Sequence, residues 1–179
     1  MLRQVGPNEY IAGVSSKEFR FFAGRQKGNF WCWAASVQMV LNFHGLRVAQ
    51  EDVVKKIYGL PIDAPAGPMQ VLAALSGWAP DVRGRFSSIH ASAFVFGPMD
   101  LINTLAYRWP LVVGLNFGSI SHACVLTAVD YSFDGFGQPV FNSAIIRDPW
   151  PKNPSRQVVP WMQFMNGIMF WAKVYVQRM

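Results

Sequence analysis

The chain of 179 residues is poor in the side chains that most often carry chemistry, with two cysteines (Cys32 and Cys124) and three histidines (His44, His90 and His122). Two cysteines are too few for the disulfide framework of a small secreted protein, which points to synthesis in a reducing compartment. Long hydrophobic runs are also missing. Although 51% of the residues are hydrophobic, stretches such as Ala123–Val129 around Thr127 fall well short of the ~18 apolar residues a spanning helix needs, so no membrane span is expected. The first residues, MLRQVGPNEYIAG, offer one early Arg and then Gly, Pro, Asn and Glu, where a signal peptide would need an unbroken apolar stretch. A cytoplasmic protein where it is made is the expectation; export by a dedicated secretion system, which needs no cleavable signal peptide, is compatible with it. Acidic residues are scarce, 10 against 16 Lys and Arg, for a net charge of +6. The basic residues are scattered rather than gathered into a stripe, and no nucleic-acid-binding motif accompanies them, so a generally basic surface is expected and nucleic acid is not an expected partner.

What is present suits a compact core: 7 Trp and 14 Phe in a length that one domain accommodates, so residues 1–179 are read as a single, monomeric domain, with 1–24 as an N-terminal extension or packing segment. Asn29 can cap a helix over about 30–43, with Trp33, Val37, Val40 and Leu41 on one stripe and Gly45 as its stop. Further helices are expected at 49–58, closed by Gly59 and Pro61, and at 69–75, closed by Gly77, with the loop PIDAPAGP between them. The stretch VRGRFSSIHASAFVF holds short extended candidates, GPMDLINTLAYRWP reads as one more helix, and PWMQFMN as a short last one. Runs rich in Val, Ile, Phe and Tyr predict strands at 111–117, 122–131, 140–147 and 169–177, the second and third joined by the hairpin turn SFDGFGQP. Helices first and antiparallel strands afterwards argue an α+β fold with the two halves packed face to face.

In that order Cys32 falls in the first turn of its helix, where free backbone N–H groups and the positive end of the dipole favour a thiolate. Position alone fits a buried structural cysteine equally well. A nucleophile also needs a base. His44 lies at the far end of the same helix, where capping carbonyls is the simpler role, and His90 has no partner signal. His122 opens a strand, SHACVLTAVDY, and so projects from a sheet edge where a cleft between the halves would lie. Its hairpin partner strand ends beside it and delivers Asp148, a carboxylate able to hold the imidazole's tautomer and charge. Trp150 follows, and an indole over the His–Asp pair would exclude water. Asp130 and Asp134 lie at the other end of the hairpin. Gln26, on the loop entering the helix, can aim its side-chain N–H near the sulfur and form an oxyanion hole with the Cys32 N–H. Trp33 packs the helix against the sheet, and Cys124, two residues after His122, reads as core packing.

Gln26, CWAAS from Cys32, His122-Ala123 and Asp148-Pro149-Trp150, in this order, resemble the papain-like cysteine peptidases. The Asp-Pro form, the small size and the late final strand are more similar to the compact bacterial branch, which includes type III effector peptidases of plant pathogens and the peptidase domains of bacteriocin exporters. The resemblance implies a papain-like fold, an active site in the cleft between a helical half and an antiparallel sheet, and hydrolysis of a protein or peptide substrate through a Cys32–His122–Asp148 triad and a thioester. A bacterial effector or processing protease is implied, without metal or cofactor. Two other readings use the same residues: cysteine-dependent amide transfer, such as deamidation, transglutamination or peptidoglycan amide cleavage, and a non-catalytic peptide-binding module whose groove is lined by Phe30, Trp31, Trp33 and Trp150.

Overall fold

The computed structural model describes residues 1–93, 97–116, 118 and 121–177. Its first strands lie where the sequence suggested only an extension. β1 (Leu2–Gly6) and β2 (Glu9–Gly13) form a hairpin, and β2 continues into the main sheet by pairing Tyr10–Gly13 with Ala128–Tyr131. The short α1 (Ser16–Phe19) follows, its N-cap Ser15 accepting from Glu18 N through its side chain. Then come the expected helices, α2 (Cys32–Phe43), α3 (Gln50–Tyr58) and α4 (Pro68–Ala74). β3 (Gly77–Pro80) and β4 (Phe86–Ala93) form an antiparallel pair, α5 (Pro98–Ala106) crosses over, and β5 (Leu111–Asn116), β6 (Ser121–Phe133) and β7 (Pro139–Arg147) form the meander. β8 (Arg156–Pro160), α6 (Trp161–Gly167) and β9 (Ile168–Gln177) complete the chain. Phe94–Phe96 and Phe117, the ends of two segments expected to be extended, lie outside the described residues.

Among the described residues, nine strands form one antiparallel sheet in the order β1-β2-β6-β5-β9-β4-β3, with β7 on the other side of β6 and β8 beyond it. The 13-residue β6 is the spine: its first half pairs with β5, residues 128–131 with β2, and residues 125–133 with β7. The α+β, papain-like architecture is as expected, but helices cover both faces of the sheet rather than one. α2, α3 and α4 pack over Val112, Ala123, Val125, Ala172 and Val174, while α5 and α6 cover Leu111, Val113, Leu115, Cys124 and Leu126. That explains why Leu111–Leu115 reads as a continuous apolar run: every one of its residues is buried, because both faces of the strand meet a helix layer.

α2 is the element that matters most for the site. Ala34, Ala35 and Ser36 are small and fully buried, letting the helix backbone approach the sheet closely. It stops where Gly45 adopts φ 84°, with Leu46 N donating to Leu41 O and Gly45 N to Asn42 O, an arrangement that satisfies the last-turn carbonyls. Among the described residues no helix is long and apolar enough to cross a membrane.

Candidate active site

The helix that carries Cys32 starts two residues later than its sequence suggests. Cys32 is its first residue, and the cap position belongs to Trp31, whose side chain makes no capping hydrogen bond. Asn29 is not the cap. The N–H groups ahead of the helix are instead received by Asp63, from the loop between α3 and α4: its carboxylate accepts from Asn29 N at 2.9 Å and Phe30 N at 2.8 Å. The flanking tryptophans bind the same loop, Trp31 Nε1 donating to Ile62 O and Trp33 Nε1 to Ala64 O. The two residues are 7% and 1% exposed, and they hold the PIDAPAGP loop against the helix start. Gly28 allows this closure: a Cβ there would come within 2.6 Å of Asp63 Oδ1 and 2.8 Å of the Trp31 ring.

The N–H groups of the first turn of α2 have no intrahelical acceptor, so the Cys32 end of the helix is electropositive and rich in donors. Gln26 is buried nearby. Its backbone N–H donates to Pro149 O, tying the loop to the residue after Asp148. Its side-chain Nε2 donates to Gly28 O at 2.8 Å and Asn29 O at 2.9 Å, and its Oε1 is buried with no partner among the described residues. The amide thus braces the loop in this conformation.

Across the cleft, His122 is the second residue of β6, paired with Leu115, and Asp148 is the first residue beyond β7, whose ladder ends at Val125–Arg147. The hairpin register therefore delivers the two side chains to one place. His122 Nε2 and Asp148 Oδ1 are 2.6 Å apart, with the carboxyl side chain only 4% exposed. Asp148 is held from every side: Trp150 N donates to Oδ1 at 2.8 Å, and Asn153 Nδ2 and Gln157 Nε2 donate to Oδ2 at 2.7 and 2.6 Å. Burial would push its pKa up, but the hydrogen bonds from His122, Asn153 and Trp150 outweigh it and hold the carboxyl below its ordinary value. For His122, burial would favour the neutral ring; hydrogen bonds to Asp148 and to the Cys124 and Cys32 thiols win, and its pKa rises to about 12. The Cys124 sulfur lies within 4.8 Å of a His122 ring nitrogen, and Cys32 lines the same cavity. Cys124 is buried, and burial raises its pKa to about 11 although the bond to His122 pulls the other way.

Cys32, His122 and Asp148 share a cavity of about 860 Å³, which Trp33, Trp150 and Phe170 also line. Trp150 contributes a backbone hydrogen bond to the carboxylate as well as this wall position. The other histidines stand elsewhere. His44 is the C-cap of α2, its ring 5.0 Å from that of Trp109, and His90 is an exposed residue of β4 opposite Tyr175. Four residues that support the site are not evident from the sequence: Asn153, Gln157, Asp63 and Arg25. Arg25 Nη1 donates to the carbonyls of Asp148 (3.2 Å), Trp150 (2.8 Å) and Asn153 (2.9 Å), clamping the backbone that carries the carboxylate. A polar residue five positions after Asp148 was the one available signal, and it reads equally as a surface turn.

The chain resembles two solved structures over most of its length. One is a double glycine motif protease from the AMS/PCAT transporter in complex with the leader peptide, with 20% identity, a TM-score of 0.53, and 87% of this chain and 89% of that one covered. The other is the peptidase domain of Streptococcus ComA, a bi-functional ABC transporter involved in a quorum-sensing pathway, with 14% identity, a TM-score of 0.56, and 87% and 97% covered. At these identities they show the fold. No curated protein sequence matches the chain. The Peptidase_C39 like family, however, matches residues 18–179, everything after the N-terminal hairpin and the start of α1. The chain therefore belongs to the Peptidase_C39 like family, and it is a cysteine-type peptidase.

Proposed function

We propose that the protein is a processing peptidase that cleaves a peptide bond through a Cys32–His122–Asp148 triad and a thioester intermediate. The observation that carries this reading is the 2.6 Å bond between His122 Nε2 and the buried, fully coordinated Asp148, with Cys32 lining the same cavity. Asp148 fixes the ring and stabilises its positive charge, so the proton of Cys32 rests on His122 and the sulfur is available as thiolate. The thiolate attacks the substrate carbonyl, and the electron pair moves onto the oxygen. The Cys32 N–H and the Gln26 amide receive that oxyanion, Gln26 exchanging a loop carbonyl for the charged oxygen, a stronger acceptor. His122 gives its proton to the departing amine, then takes one from the water that releases the acyl group, which restores the thiolate and the protonated imidazole.

The substrate is an extended peptide laid in the cavity, and a double-glycine segment is the first to try, since one structural relative is a double glycine motif protease seen with a leader peptide. All site residues come from one chain, so a monomer suffices. Residues 1–179 are read as one domain, a reading supported by the N-terminal hairpin, which extends the main sheet through β2. The test is mass spectrometry of a synthetic peptide carrying Gly-Gly, and of its Val-Val counterpart, after incubation with wild type and with Cys32→Ala. New termini from the Gly-Gly peptide with wild type alone are expected. A mass gain of about one dalton without fragments would replace hydrolysis by deamidation, and cleavage by Cys32→Ala would overturn the nucleophile.

A further inference from the structure

Acyl transfer needs one thiol, yet two line the cavity that holds His122. A Cys124 sulfur, a His122 ring nitrogen and an Asp148 oxygen all lie within 4.8 Å of one another, and Cys32 opens into the same cavity. From this juxtaposition we propose that the cleft is also a reversible Zn²⁺ site, with Cys32, Cys124 and His122 as ligands and Asp148 behind the histidine, so that zinc occupancy switches the peptidase off. The inhibitory consequence rests on the peptidase reading; the binding itself does not.

The chemistry of the set favours this ion. Zn²⁺ prefers thiolate and imidazole ligands in a tetrahedron, with bonds of about 2.0–2.3 Å that place ligand atoms roughly 3.5 Å apart. Cys124 is already within 4.8 Å of the ring nitrogen, and Cys32, which lines the same cavity from the start of α2, joins the set by side-chain rotation. His122 already has the arrangement that suits a metal ligand: one ring nitrogen is bonded to a carboxylate, which fixes the tautomer and leaves the other nitrogen to coordinate. That carboxylate is itself immobilised by Asn153, Gln157 and the Trp150 N–H, so the outer shell is complete without metal. The fourth position faces the cavity and is left to water. Binding exchanges the Cys124 thiol proton and the imidazolium proton, the latter taken from Cys32, for the metal, with no change of oxidation state, and it removes both the nucleophile and the base of the acyl-transfer step. Cys124 is what distinguishes this cleft from a simple Cys–His pair, because its sulfur supplies the third ligand.

Titration of the whole chain with Co²⁺ and then Zn²⁺ tests the proposal. Wild type should bind one Co²⁺ with thiolate-to-cobalt charge-transfer absorption, which Zn²⁺ removes. Cys124→Ala and Cys32→Ala should each lose at least about tenfold in Zn²⁺ affinity and roughly half of the charge-transfer intensity, while keeping the far-ultraviolet circular dichroism of the wild type. Should Cys124→Ala fail to fold, Cys124→Ser, closer in size, takes its place. Equal Zn²⁺ affinity in wild type and the Cys124 variant, or Co²⁺ bands without thiolate character, would overturn the site. Peptide cleavage by metal-free wild type is scored separately: cobalt bands without any cleavage would leave the metal site and remove the peptidase reading, and cleavage without the bands would do the reverse.

Discussion

The two walls of the cleft are built on different principles. On the sheet wall, His122 and Asp148 are placed by a strand ladder, and the carboxylate then receives four hydrogen bonds, so its position is over-determined. On the helix wall, Cys32 stands at the bare end of α2, with no side-chain cap, and its position depends on a loop pinned by Asp63, Trp31 and Trp33. The difference teaches that His122 and Asp148 are rigid by register while Cys32 is rigid by tertiary clamps. Damage to the first wall should appear in chemistry, and damage to the second in stability.

The largest expected effect lies on the reacting atoms themselves: Cys32→Ala and His122→Ala should each lower kcat/KM for a cleaved peptide by at least about 10⁴-fold, with thermal unfolding little changed. Next is Asp148→Ala, which removes the orienting charge but leaves sulfur and imidazole in place; a loss of about 10²–10⁴-fold in kcat is expected. Wild-type turnover by this variant would mean that the sheet wall has no catalytic role. Smaller again are Asn153→Ala and Gln157→Leu. Each deletes one hydrogen bond to a charged oxygen, worth about 1.5 kcal/mol or more, so kcat should fall about tenfold while KM holds. If KM rises instead, these residues bind substrate rather than steady the carboxylate. The smallest effect on catalysis belongs to the helix wall. Asp63→Ala should cost about 1 kcal/mol, seen as a Tm lower by roughly 2–4 °C, with less than the tenfold activity loss of the Asn153 variant. An activity loss larger than that of Asp148→Ala would reverse the comparison, making the loop clamp the more critical device.

Much of this site is legible in the sequence because its chemistry uses rare residues. With two cysteines and three histidines, a helix start at Cys32 and a strand start at His122 leave few combinations, and the turn between β6 and β7 brings Asp148 to its place by local rules alone. The helices were recognisable from their apolar stripes and closing glycines, Gly45 and Gly59, both of which adopt the positive φ expected of them. Other expectations needed correcting. Asn29 has the chemistry of a cap, yet the cap is absent and Asp63, from a loop 34 residues away, receives its N–H instead. The first residues form strands of the main sheet, because β2 finds an open edge on the second half of β6, which no local periodicity announces.

The sequence by itself determined the helix that opens near Cys32, the strand that opens at His122, the placing of Asp148 after its hairpin partner and the α+β class, all of which follow from short-range patterns and residue scarcity. Only the tertiary structure decided that Gln26 braces its own loop, that Arg25 grips the backbone carrying Asp148, that Asn153 and Gln157 complete the carboxylate's shell, and that Cys124 lies beside His122 and Asp148. The physical reason is common to all four. A buried polar atom must find a partner wherever the fold brings one, and that choice is set by register and packing between distant segments rather than by the residues beside it in the chain.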